Sequence, residues 1–205
     1  MIQNSYEIAR LLGEKLEGHA DPFVMAPRPD LDELRTAGAA SIDLRLGTWF
    51  VLMKTSRHPL LDVYEDGADA PSEKNMTNKQ YVPLGQRFIL HPNCFVLAAT
   101  LEWIRMPRRL AGYVTGKSSW GRRGLVIETA PGVHPGFTGC LTLELANVGE
   151  IPIALQPGMK ICQLFIHKVE GDHSFADRSA FVGKRQPVLG KIKQDEFVTK
   201  LKTKV

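Results

Sequence analysis

Two stretches hold residue types that could bind an anion and move a proton. The first is Gly116-Lys117-Ser118-Ser119-Trp120-Gly121-Arg122-Arg123-Gly124-Leu125. Small residues let a backbone approach an anion, and successive N–H groups in such a turn form an anion-binding nest. Ser118 and Ser119 add hydroxyl donors, and Lys117 adds a positive charge. The GxxxxGK[ST] spacing of a Walker A loop is absent, and a plain Gly/Ser turn between strands gives the same kind of string. The second stretch is the Gly- and Pro-rich loop from Thr129 to Gly139, which runs into Cys140-Leu141-Thr142-Leu143-Glu144-Leu145. Strand periodicity puts Cys140, Thr142 and Glu144 on one face and Leu141, Leu143 and Leu145 on the other. Facing water, Glu144 is a solvated carboxylate. Facing a cleft, it would have its charged form disfavoured by burial and would suit proton transfer.

The elements that must position these residues are mostly strands. Near the start, Ile8, Leu11, Leu12 and Leu16 share one helical face, which predicts a short helix over 5–18 with Gly18 as its stop. Asp21 to Pro29 carries three prolines and reads as an extended connection. Beyond it, short apolar runs alternate with Gly and Pro breaks. The strand candidates are 41–46, 49–53, 81–84, 87–90, 95–101, 111–115, 125–128, 141–146, 151–155 and 161–167. Many short strands with frequent turns predict an all-β barrel or sandwich. Pro83, Pro107, Pro131, Pro135 and Pro157 suit edges and turns. Residues 62–80 are polar and read as a surface loop. The tail, 172–205, is poor in apolar residues and rich in lysine near its end, as a frayed terminus or a flexible closing flap would be.

The 205 residues suit one domain, 1–205. Hydrophobic residues make up 43% and charged residues 23%, a soluble balance. The net charge of +4 suits anionic ligands, but no basic run is interleaved with aromatics, so nucleic acid is not expected. No run is long and apolar enough to span a bilayer, and the first ten residues hold no signal-like core, so a cytoplasmic protein is expected. Cys94, Cys140 and Cys162 form no CxxC pair and no Cys/His metal spacing, and are expected to be buried, inert thiols.

Read together, GKSSWGRRGL followed by TAPGVHPGFTGCLTLEL resembles the dCTP deaminase family, part of the dCTP deaminase and dUTPase superfamily. Ser41-Ile42-Asp43-Leu44-Arg45-Leu46-Gly47 resembles that family's early strand, and Asn147, Gly149, Pro152, Leu155, Pro157, Gly158 and Gln163 fit its last strands and turn. The resemblance covers about residues 7–190 and is strongest over 112–166. It implies a dUTPase-like distorted β-barrel, or β-clip, that assembles as a homotrimer with active sites between subunits. It also implies Mg²⁺ carried by the substrate's triphosphate. Zinc is not expected, because the H-x-E and P-C-x-x-C ligand set of zinc deaminases is missing.

The implied reaction is hydrolytic deamination of dCTP, or a related pyrimidine deoxynucleoside triphosphate, to dUTP and ammonia. By resemblance, Glu144 activates the water and passes protons to the leaving ammonia. Ser118 and the Ala130 carbonyl hold the water, and Arg122 orients the glutamate. Lys117 and Ser119 match phosphate-binding positions, and Lys117 stands where arginine is more usual, which keeps the charge but loses the bidentate fork. Thr129, Gly132 and His134 fall on the substrate-lining loop, and Phe181, Lys184 and Arg185 on the closing segment within 172–205. His134 departs from the family's usual Asp, which weakens a pure dUTPase reading. It implies an altered sugar contact or a tolerated loop change. Ala180, Phe181 and Lys184 replace the family's usual Lys-Tyr and Gln, so Lys184 or Arg185 would supply a phosphate contact. Two other functions fit the same residues: dUTP pyrophosphatase action, alone or combined with deamination, and a nucleotide-binding regulator without turnover.

Overall fold

The computed structural model describes residues 1–13, 21–54, 73–128, 132–171, 183–190 and 195–202. Within them run α1 (Ser5–Gly13), β1 (Val24–Ala26), α2 (Leu31–Thr36), β2 (Ile42–Met53), α3 (Glu73–Met76), β3 (Thr77–Tyr81), β4 (Phe88–Leu90) and β5 (Phe95–Arg105). They are followed by β6 (Leu110–Gly116), α4 (Ser118–Gly121), β7 (Leu125–Glu128), β8 (Gly132–Val133), β9 (Thr138–Asn147), β10 (Ile153–Leu155), β11 (Lys160–Lys168) and α5 (Glu196–Lys202). The chain is mainly β, as expected, and α1 lies within the span predicted for a helix. Among the described residues no helix is long and apolar enough to cross a membrane.

One curled antiparallel sheet runs in the order β7-β9-β5-β2-β11-β6-β8, with β1 added to β5 and β3 to β2, while β4 and β10 form a separate pair. The curl brings β6 back toward β7 at the opposite end of the order. At Gly116 a Cβ would lie only 3.1 Å from the Ile127 Cβ, so the two strands meet where the side chain is smallest. Alternating residues fill the inside of the curl: Ile42, Leu44 and Leu46 from β2, Leu141, Leu143 and Leu145 from β9, and Leu164 and Ile166 from β11. Burying each such side chain contributes about 1.5–3 kcal/mol. The apolar stripe of α1, with Ile8, Leu11 and Leu12, packs on the same core. Asp30 caps α2 by accepting the Asp32 and Glu33 N–H groups.

Several expectations need correction. Two strands were expected over 41–53, separated at Gly47-Thr48, but β2 runs through without a turn. Gly47 lies against β5, where an added Cβ would sit 2.9 Å from the Ala99 carbonyl oxygen. The β2–β5 pairing shifts register there, between Leu46 and Phe50. The glycine therefore accommodates a bulge rather than a turn. The strand expected over 81–84 lies earlier, as β3, which pairs with β2. The described part of the expected 62–80 loop is thus α3 and β3, and residues 62–72 lie outside the described residues. The tail carries α5, started by Asp195, whose Oδ1 accepts the Phe197 N–H at 2.8 Å. Of the thiols expected to be buried, Cys94 is exposed and Cys140 is half-buried, while Cys162 is buried. Burial pushes the Cys162 thiol up to about 12, which keeps it protonated and unreactive.

Candidate functional site

Strand β9 presents Glu144 as its alternation predicts. Leu141, Leu143 and Leu145 point into the core, while Cys140, Thr142 and Glu144 form a half-buried row on the opposite face. On one side Glu144 pairs in register with Leu97 of β5, and on the other with Glu128, the last residue of β7. Below that point a different segment takes the outer edge of β9. Gly183 gives its N–H to the Thr138 carbonyl, and Cys140 gives its N–H to the Lys184 carbonyl at 2.8 Å. Glu144 thus lies at the last described pair of β7 and β9, beyond the contacts that residues 183 and 184 make with Thr138 and Cys140. Thr129 and Ala130, expected in the substrate-lining loop, lie outside the described residues, as does Phe181.

Residues 183–185 fit closely against β9 because position 139 has no side chain. Gly139 has φ +144°, and a Cβ there would sit 2.9 Å from the Lys184 carbonyl oxygen. This docking brings Arg185 to a cavity of about 440 Å³ lined by Trp49, Leu101, Trp103 and Cys140. Cys140 belongs to the Glu144 row, so the cavity opens on the same face of β9. Lys184 and Arg185 both lie near this edge. Gly132 in β8 and His134 at the turn that follows are exposed, and the His134 carbonyl accepts the Phe137 N–H at 3.1 Å.

The Gly/Ser stretch forms the end of β6 and the single turn α4. Ser118, Ser119 and Arg122 are exposed, and the Arg122 N–H returns to the Ser118 carbonyl at 3.0 Å. Lys117 precedes the turn in extended backbone and donates its Nζ to Asp43 Oδ1 at 2.6 Å. Among the described residues, no hydrogen bond or ion pair joins Glu144 to Ser118 or Arg122. The register explains the separation. The chain leaves α4 and enters β7 at Leu125, opposite Asn147, three residues or about 10 Å along β9 from Glu144. Lys117, Ser118, Ser119 and Arg122 thus form one group, and Glu144 lies apart from it on β9.

Sequence reasoning missed two carboxylates, Asp43 beside Lys117 and Glu102 inside the sheet. Asp43 was seen only as part of a family strand, although its alternation with Ile42 and Leu44 already placed it on the outer face. Glu102 is 4% exposed and lies within the β5 bulge. Its Oε2 accepts the Arg45 N–H at 2.9 Å, and its carbonyl accepts the Thr100 hydroxyl at 2.9 Å. Burial raises its carboxyl above the ordinary range, against the opposing pull of the Arg45 N–H, its own N–H and the Arg45 charge. A lone acid inside the apolar run 95–104 was the available signal.

Comparison with known proteins adds independent findings. A family model described as dCTP deaminase-like matches residues 2–169. A Methanobrevibacter smithii protein named dCTP deaminase, dUMP-forming, is 39% identical over 143 residues, covering 69% of this chain and 70% of its own. A Haemophilus influenzae protein named dCTP deaminase is 31% identical over 196 residues, covering 91% and 99%. The crystal structure of 2'-deoxycytidine 5'-triphosphate deaminase from Agrobacterium tumefaciens superposes with a TM-score of 0.57 at 22% identity. That match covers 82% of this chain but 48% of the other, so this chain spans about half its length, and the likeness is one of fold.

Proposed function

Because the chain belongs to the dCTP deaminase-like family, matched over residues 2–169, we propose that it is an enzyme that removes the 4-amino group of dCTP by hydrolysis. The observation that carries this reading is the position of Glu144, on a half-buried strand face at the last described pair of β7 and β9. A carboxylate there is placed to take a proton from water as the water oxygen bonds to C4 of the ring. The C4=N3 electron pair moves to N3, which takes that proton from the carboxylate. The remaining hydroxyl proton then passes to the 4-amino nitrogen as its bond to C4 breaks and C4=O forms, and ammonia leaves with dUTP as the other product. The Ser118 hydroxyl and the Ala130 carbonyl hold the water, and Arg122 orients the carboxylate. Lys117 and Ser119 bind phosphate, Thr129, Gly132 and His134 line the sugar and base, and Phe181, Lys184 and Arg185 close over the nucleotide.

Since Ser118 and Arg122 do not bond to Glu144 within one chain, these roles require a second copy to bring its α4 turn to this copy's Glu144. A homotrimer with sites between subunits meets that need. Mg²⁺ enters as part of the substrate, bound to the triphosphate.

A second reading has its own support. The Methanobrevibacter smithii relative is named dUMP-forming, and release of pyrophosphate after deamination would give dUMP here as well. One screen separates the possibilities: dCTP, CTP, modified dCTP and dUTP are incubated with the protein and Mg²⁺, and products are identified by mass. Deamination alone yields dUTP and ammonia from dCTP, and the combined activity yields dUMP, pyrophosphate and ammonia. Nucleotide binding with no product from any of the four contradicts an enzyme.

A further inference from the structure

Asp43, Gln163 and Thr115 form a row across three neighbouring strands, with Gln163 of β11 in register with Asp43 of β2 on one side and Thr115 of β6 on the other. Lys117 lies two residues beyond Thr115, and its backbone N–H is held by the Ile161 carbonyl at 3.2 Å. Its side chain reaches back over β11 to Asp43, 2.6 Å from Nζ to Oδ1. The same oxygen accepts from Gln163 Nε2 at 3.4 Å. Lys160 Nζ stands 3.7 Å from the other carboxylate oxygen and 3.5 Å from Glu33 Oε1. Lys117 and Asp43 each keep about a quarter of their side chains exposed, 25% and 24%. The ammonium is therefore fixed on one side and open to solvent on the other, at the entry to the turn that carries Ser118 and Ser119.

We propose that Asp43 is a positioning residue that presents the Lys117 ammonium to the substrate's phosphates, an inference that rests on Lys117 being a phosphate ligand. A lysine stem is flexible, and a free ammonium must be ordered at the moment of binding. Asp43 orders it beforehand and leaves further N–H donors for phosphate oxygens. The carboxylate also opposes phosphate, but Lys160 and Gln163 already answer its charge, so pre-ordering outweighs repulsion.

The test is steady-state deamination and calorimetric binding of dCTP and dCMP by wild type, Asp43→Asn, Asp43→Glu, Lys117→Met and the Asp43→Asn/Lys117→Met double variant. Asp43→Asn keeps shape and an acceptor oxygen but loses the charge. It is expected to raise KM and Kd for dCTP about 10-fold while kcat stays within about two-fold. Asp43→Glu is expected to fall between it and wild type. For dCMP, or in the Lys117→Met background, Asp43→Asn is expected to change almost nothing. Equal losses for dCTP and dCMP, an undiminished effect without Lys117, tighter dCTP binding by Asp43→Asn, or a fall in kcat alone would each overturn the proposal. If wild type binds dCTP but releases no ammonia, the deaminase reading fails, and the binding measurements still decide the role of Asp43.

Discussion

Leu141 of β9 gives its backbone N–H not to a backbone carbonyl of β5 but to the Thr100 hydroxyl, 2.9 Å away. The same hydroxyl donates to the Glu102 carbonyl, also at 2.9 Å. One side chain thus replaces ladder bonds lost where the β5–β9 register shifts between Ala99 and Trp103. Because both contacts are buried, Thr100→Val leaves the Leu141 N–H and the Glu102 carbonyl without this partner. We expect a loss of about 1–3 kcal/mol, read as a lower urea midpoint, with Thr100→Ser close to wild type. An unchanged midpoint for Thr100→Val would mean the bulge is held by other contacts.

Glu102 makes the same bulge sensitive to pH. Its folded carboxyl is raised above the ordinary 4.5 by burial. Between that ordinary value and the raised one, the folded state holds a proton that the unfolded chain has released. Stability contributed by this group is therefore full below 4.5, falls as pH rises through the window, and then stays flat. Glu102→Gln keeps an acceptor for the Arg45 N–H and removes the titration. Thermal unfolding measured from acid to neutral pH is expected to show the wild type losing stability relative to the glutamine variant as pH rises. Parallel curves would contradict the assignment.

Gly139 governs the docking of residues 183–185 on β9. Alanine at φ +144° is strained, and its Cβ would press on the Lys184 carbonyl at 2.9 Å. In Gly139→Ala we expect trypsin to cut after Lys184 and Arg185 several-fold faster than in wild type, since local opening controls cleavage. A lower melting temperature with unchanged cleavage would place the cost in β9 alone.

Much of this arrangement was legible in the sequence where the relevant physics is local. The alternation of Leu141, Leu143 and Leu145 with Cys140, Thr142 and Glu144 gave the correct face for the glutamate, because strand periodicity depends only on neighbours. β3 was hidden for the opposite reason. Asn78, Lys79, Gln80 and Tyr81 are all exposed, so no alternation marks the strand. Gly47 was read as a break because only the fold reveals that β5 passes against it. The Asp43–Lys117 pair joins residues 74 apart, and its geometry depends on β11 lying between their strands. The α4 turn was recognised, but its distance from Glu144 follows from the β7–β9 register, which no local pattern contains.

The most direct measurement is ammonia release from dCTP and Mg²⁺ by wild type and by Glu144→Gln, with dCTP binding followed by calorimetry. The glutamine keeps the shape of the side chain but cannot accept the water's proton. We expect wild type to release ammonia, and the variant to bind dCTP while turning over about 10²–10⁴-fold more slowly. A Glu144→Gln protein that deaminates dCTP at the wild-type rate would contradict the account.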